Sequence, residues 1–285
     1  MGRSDRVSRR CAALFGALAL VAAITAPALA VAASDPSAPS DAMTQPVVSA
    51  SWAGYDAIAA STPAAAARSY FTGVTGSWTA PALRCGALAS ARASVWVGLG
   101  GVLDTRAVYG PLQVGIDADC RTGRATYSAW YEAYPEPLQR LRLTVASGDA
   151  LTANVSIDGA GRPHVSLRDL TSTHSAAATL GGVRVRPLAT DSAEWIVEGP
   201  VSREALADFG SVTFTNATAT ESSSTGTHSG GVDDPAWGYS EPDVIGPQAA
   251  GAHLSDVAEL AAPGPLAAAG EGFTVNYDSG ALVAG

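Results

Sequence analysis

Leu112-Gln113-Val114-Gly115-Ile116-Asp117 and Glu194-Trp195-Ile196-Val197-Glu198 are the stretches that decide the fold. In the first, Leu112, Val114 and Ile116 fall on one side of an extended chain, and Gln113, Gly115 and Asp117 on the other. In the second, Trp195 and Val197 share a side opposite Glu194, Ile196 and Glu198. Side chains alternate along a strand, so each stretch reads as a strand with one face on a core and a chemically different second face.

The pattern continues outward. Val95, Val97 and Leu99 form a stripe that leaves Trp96 and Gly98 opposite, while Trp130, Glu132 and Tyr134 fall together. Further strand-like runs cover 126–134, 138–146, 150–157, 164–170, 183–187, 211–215 and 273–277. Gly100-Gly101, Gly123, Ser147-Gly148-Asp149, Asp158-Gly159 and Gly181-Gly182 punctuate them. Short strands at such spacing indicate an all-β protein, an antiparallel sandwich or barrel. One short helix is expected at 202–208, capped by Ser202 with Glu204 near its positive end. Residues 221–231, rich in Ser, Thr and Gly, are expected to form a mobile loop, and no strand is placed within the Ala-, Pro- and Gly-rich 235–270. Where the strands neighbour one another, their second faces assemble Trp96, Gln113, Trp130, Glu132, Tyr134, Glu194 and Glu198. Aromatics with a few carboxylates and one amide suit a peptide-binding groove. Alternation alone does not establish that adjacency. Taken singly, Gln113 reads as a solvated outer-face residue, Glu198 as an ordinary strand-end carboxylate, and Glu194 as a surface residue or a neighbour that perturbs Glu198.

The chain ends bound the domain. Arg3, Arg6, Arg9 and Arg10 precede an apolar, Ala-rich run and small-residue patterns at Ala28-Leu29-Ala30 and Ala30-Val31-Ala32. This reads as a signal peptide over 1–33, too short and Ala-rich for a stable membrane anchor. Residues 34–48 read as a linker or short pro-segment and 49–285 as one domain. Secretion follows, with no membrane association once the signal is removed. Losing those four Arg and Asp5 from 17 basic and 26 acidic residues leaves 13 against 25, a formal charge of −12. Such a surface repels nucleic acid and anionic membranes. Cys11 leaves with the signal, so Cys85 and Cys120 remain as an even pair in an exported chain and are expected to form a disulfide. His164, His174, His228 and His253 are scattered singly, and no metal site is expected. No G-x-S-x-G occurs, Asp104-Thr105-Arg106 lacks the glycine of an Asp-Thr-Gly turn, and no phosphate-binding glycine loop opens a helix. Carboxylates and amides remain as the reactive groups.

Ser51-Trp52-Ala53-Gly54-Tyr55, Val74-Thr75-Gly76-Ser77-Trp78-Thr79-Ala80-Pro81 and Val95-Trp96-Val97-Gly98-Leu99-Gly100-Gly101 resemble successive strands of the glutamic peptidase (eqolisin, G1) family. The likeness runs on through Leu112 to Asp117, Trp130-Tyr131-Glu132-Ala133-Tyr134-Pro135 and Ala193 to Glu198. It ends in Val212-Thr213-Phe214-Thr215-Asn216-Ala217 and Gly272-Phe273-Thr274-Val275-Asn276-Tyr277. The order is the family's and covers almost all of 51–277. The resemblance implies two curved, packed antiparallel sheets, lectin-like, with a groove on the concave one. It implies Gln113 and Glu198 as the catalytic pair, with Trp96, Trp130, Glu132 and Tyr134 as groove residues. Gly100 stands where the family's fungal members usually carry Asp.

Amide hydrolysis without a nucleophilic side chain needs an activated water, an oxyanion donor and a proton for the leaving amine. The resemblance assigns water activation and proton delivery to Glu198 and oxyanion binding to the Gln113 NH2, on protein or peptide substrates, with no cofactor and a monomer expected. Two other readings remain: a glycoside hydrolase using Glu132 and Glu198, and a binding sandwich without activity.

Overall fold

The computed structural model describes residues 46–60, 69–86, 90–102, 111–180, 190–200, 204–246 and 260–278. The expected signal peptide, residues 34–45 of the expected linker and the strand expected at 183–187 lie outside the described residues. Among the described residues, no helix is long and apolar enough to cross a membrane.

The chain enters through β1 (Val47–Ser49), β2 (Trp52–Ile58), β3 (Tyr70–Thr79), β4 (Ala91–Leu99) and β5 (Leu112–Arg121). Then come β6 (Arg124–Ala133), β7 (Gln139–Arg140), β8 (Ala150–Ile157), β9 (Pro163–Asp169), β10 (Ser175–Thr179) and β11 (Ser192–Glu198). The last are β12 (Ala205–Leu206), β13 (Ser211–Ser223), β14 (Gly226–Gly231), β15 (Tyr239–Ile245), β16 (Ala261–Pro263) and β17 (Gly272–Tyr277).

Pairing resolves these into two layers. The groove sheet runs β1–β15–β2–β11–β4–β5–β6–β7. The back sheet runs β10–β9–β8–β3–β13–β17–β16, with β14 on the far half of β13. One bridge, Ile245 to Ala261, joins the layers. Most pairings are antiparallel; β1–β15 and β12–β4 are parallel. The fold is thus the expected antiparallel sandwich.

Its core comes from the period-two stripes read in the sequence. Tyr55, Val95, Val97, Leu99, Val114, Ile116, Trp195 and Val197 from the groove sheet meet Phe71, Val74, Trp78, Leu151, Val155, Leu167 and Phe214 from the back sheet. Trp195 crosses between layers, its indole N–H donating to the Thr75 carbonyl at 2.8 Å. Phe214 stacks on Phe273, and Tyr55 meets Phe273 edge-on. The expected disulfide is present: Cys85, in the segment after β3, bonds to Cys120 on β5, with Cα atoms 5.3 Å apart. It therefore fastens the exit of a back-sheet strand to a groove-sheet strand.

Four expectations fail. Ala205–Leu206 is not helical but pairs parallel with the start of β4, and Ala207 donates to the Arg92 carbonyl at 3.0 Å, so a sheet edge outcompetes a one-turn helix. Residues 221–231 are no loose loop: β13 and β14 pair from Thr218 with Gly231 to Ser223 with Gly226. Of 138–146 only Gln139–Arg140 is a strand. Within 235–270, where no strand was placed, Tyr239–Ile245 fills the position beside β2.

Candidate active site

The groove face is built from three straight rows across neighbouring strands. One row runs Glu241, Asp56, Glu194, Gly98, Gln113, Glu132 from β15 to β6. The next runs Asp243, Gly54, Ile196, Trp96, Gly115, Trp130, Arg140. The third runs Trp52, Glu198, Ser94, Asp117, Ser128. Residues directly opposite share a face, so the register places Gln113, Glu132, Trp96, Trp130, Glu194 and Glu198 together. Tyr134 lies past the end of β6, half exposed, its N–H donating to the Pro111 carbonyl at 3.2 Å.

The middle row is aromatic. Trp96, Trp130 and Ile196 form a buried cluster separate from the main core, with Trp52 packed against it, edge-on to Trp96 at 5.2 Å. Gly115 makes this possible. A Cβ there would lie 2.2 Å from the Val95 carbonyl and 2.5 Å from the Trp96 Cβ.

The Trp96 indole N–H donates to Glu198 Oε2 at 2.8 Å. Burial is the main force on this carboxyl and pushes it up to about 7; the N–H bonds from Trp96 and Trp52 pull it down, and the charges of Glu132 and Asp117 raise it further. Gln113 is buried, and its Nε2 donates to Glu132 Oε2 at 2.7 Å while its Oε1 has no hydrogen-bond partner among the described residues. Glu132 therefore fixes which prong of the amide faces β6.

Sequence reasoning did not anticipate two features of this face. At the Glu198 end, buried Asp117 accepts from the Ser94 hydroxyl at 2.8 Å and from Arg140 Nη1 at 3.0 Å, and Arg140 also reaches the Ser128 hydroxyl. The period-two rule had put Asp117 on this face, but its partners come from the register. At the other end lies a row of buried acids. Glu194, expected at the surface or beside Glu198, is fully buried, and the charges that act on Glu198 come from Glu132 and Asp117. Asp56 and Asp243 are buried with it and share a hydrogen bond. Desolvation raises all three carboxyls, that of Asp56 most plainly and that of Asp243 to about 6. Among the described residues no ion pair reaches them. Asp243 lay in the segment where no strand was placed, so only the fold reveals the group. Gly100 closes β4 beside them at φ +78°, its N–H donating to the Ser192 carbonyl at 3.0 Å. Among the described residues no group of three or more His, Cys, Asp or Glu is arranged to hold a metal ion.

A face with a buried amide, a raised carboxyl and aromatic walls has relatives. Residues 29–235 match the model of the Peptidase A4 family. Aspergillopepsin-2 of Aspergillus niger is 34% identical over 177 residues, 54% of this chain and 62% of that one, so this chain spans less than two thirds of that relative's length. The crystal structure of aspergilloglutamic peptidase from Aspergillus niger aligns with a TM-score of 0.50 at 32% identity, covering 66% of this chain and 99% of that one. Scytalido-glutamic peptidase, solved with a peptide-based transition state analogue, shares the fold at a TM-score of 0.58 and 21% identity, over 81% of this chain and all of its own. The family match spans well over half of the sequence, and this chain belongs to the Peptidase A4 family, the glutamic peptidases.

Proposed function

We propose that the chain is a secreted endopeptidase that cuts protein substrates in acid with Gln113 and Glu198 and an activated water, with no covalent intermediate. The observation that carries this reading is the pairing of two unlike groups on one buried face. Glu198 is a carboxyl whose proton burial retains to about pH 7. Gln113 is an amide anchored through Nε2, with a carbonyl that has no partner among the described residues.

In the cycle, ionised Glu198 takes a proton from water as the water oxygen bonds to the scissile carbon. The Gln113 NH2 donates to the carbonyl oxygen as it becomes negative, a contribution of about 2.7–4 kcal/mol for one such donor. Gln113 Oε1, without a hydrogen-bond partner among the described residues, accepts from the water. Glu198 then gives its proton to the amide nitrogen as the C–N bond breaks, and returns to the ionised form. Burial favours the protonated state that the second step needs, and the two indole N–H groups support the ionised state that the first step needs. Turnover therefore follows the titration of this one carboxyl, and its burial moves the break in the pH profile toward 7 from the reference carboxylate value of about 4.

Digestion of casein or hemoglobin across acidic pH, beside xylan and glucan, tests the class. Peptide release that survives chelators and serine- or cysteine-directed reagents is expected; sugar release without proteolysis would refute it.

A further inference from the structure

Glu194, two strands from Gln113 in the same row, has no part in the chemistry above. Glu194 has no exposed surface, and neither carboxyl oxygen meets a hydrogen-bond partner among the described residues. The Ser192 hydroxyl and the Gly100 N–H come close enough to oppose its upward shift. The Ser192 hydroxyl also reaches Asp191 at 3.5 Å, and the Gly100 N–H donates to the Ser192 carbonyl at 3.0 Å.

Glu194 and Gln113 stand in one row, two strands apart, with Gly98 between them. Two strand spacings are about 9–10 Å, beyond reach if a side chain intervened. Gly98 puts no side chain of its own there, and the space above it is shared with the Trp96 ring, whose Cζ3 would be the atom nearest a Cβ at that position, at 2.8 Å. A Cβ there would lie 2.9 Å from Glu194 Oε2 and 3.3 Å from the Gln113 Cβ. Both side chains therefore border the same gap, each with an unpartnered buried polar atom: the carboxyl oxygens of Glu194 and Oε1 of Gln113. Glu132 holds the NH2 prong toward β6, which turns the carbonyl prong away from β6, the direction in which Gly98 and Glu194 lie.

We propose that Glu194 is a positioning residue for Gln113: its carboxyl leans through the gap above Gly98 and braces the amide from the side opposite Glu132, donating to Gln113 Oε1 directly or through one water. The amide is then gripped at both prongs, and the second lone pair of Oε1 stays available to the reacting water. The donor must be the neutral acid, which is the form that burial favours here. Buried polar atoms left without partners are costly, so two bordering one gap are most simply satisfied by each other.

The assignment rests on Gln113 being the reacting amide, and a double-mutant cycle separates the two claims. Glu194→Gln keeps the shape and a neutral donor and should retain kcat within about threefold of the wild type. Glu194→Met fills the volume without a donor and should lower kcat about tenfold or more with KM little changed, the size of one lost buried hydrogen bond. Added to Gln113→Ala, Glu194→Met should cost almost nothing further, because the group it positions has gone. Should the Met variant fail to fold, Glu194→Ala takes its place in the cycle. Losses that multiply, a Met or Ala variant with wild-type kcat, or a folded Gln variant as impaired as Met, would each overturn the positioning role. Gln113→Ala at wild-type activity would instead overturn the dyad itself.

Discussion

The two sheets each have one face outside the core, and the two outer faces are opposites. On the back sheet that face is a ladder of hydroxyls and amides. Ser77 donates to Thr152 at 3.0 Å, Asn154 to Thr75 at 2.9 Å, and Thr213 pairs with Thr274 at 2.9 Å. Its turn acid Asp158 is well partnered: it binds Arg162, His164 and the Ala160 N–H, and its carboxyl is held well below the usual range, first by the Arg162 backbone N–H. On the groove sheet the corresponding face is buried and carboxyl-rich, and several of its acids are raised by desolvation. The same residue type is driven in opposite directions by its setting. Hydrogen bonds to the charged form stabilise it at an exposed turn, and loss of water destabilises it in the groove.

The sharpest way to break this contrast is at Glu198. Glu198→Gln preserves size and the Trp96 contact but removes the exchangeable proton, and turnover should fall by about 10²–10⁴-fold with folding intact. Gln113→Ala should lower kcat by about 10²–10³-fold. Initial rates on denatured casein, with circular dichroism for folding, check both, and wild-type turnover in either variant would leave the groove face without its assigned chemistry.

A smaller effect tests how the sheets are held together. Reducing Cys85–Cys120, which closes a loop of 35 residues in sequence separation, should lower stability by about 3–4 kcal/mol through the entropy regained by the unfolded chain. Urea unfolding with and without reductant measures it.

Smaller again is the pH dependence of stability. Asp56, Glu194, Asp243 and Glu198 all have folded values above those of the unfolded chain. The folded state therefore binds more protons at intermediate pH. The stability these groups contribute is complete below about pH 4 and declines as pH rises through the folded values, Asp243 near 6 and Glu198 near 7. The melting temperature should decline from pH 4 to pH 8. A melting temperature that rises over that interval would mean the groove acids are ionised in the folded protein.

The least effect belongs to the hydroxyl face. Thr152→Val removes one partly exposed pair with Ser77 and should change stability by less than about 1 kcal/mol, with turnover unaltered. A tenfold loss of turnover there would show that the back sheet is not a passive support.

The sequence by itself determined which residues face the core, because alternation is a local property that each strand displays alone. It therefore put Gln113 and Asp117 on one side of their strand, Glu194 and Glu198 on one side of theirs, and it paired Cys85 with Cys120. Local patterning does not say which strands meet, what covers a face, or where a weak strand finds an edge. Residues 205–206, 218–231 and 239–245 became strands because a neighbouring backbone offered partners that no propensity of their own announces. Tertiary structure likewise decided that Glu194 is buried and borders the gap at Gly98, that Arg140 reaches Asp117, and that Trp96 holds Glu198. Each of these depends on register, the one quantity that period-two alternation leaves free by steps of two residues.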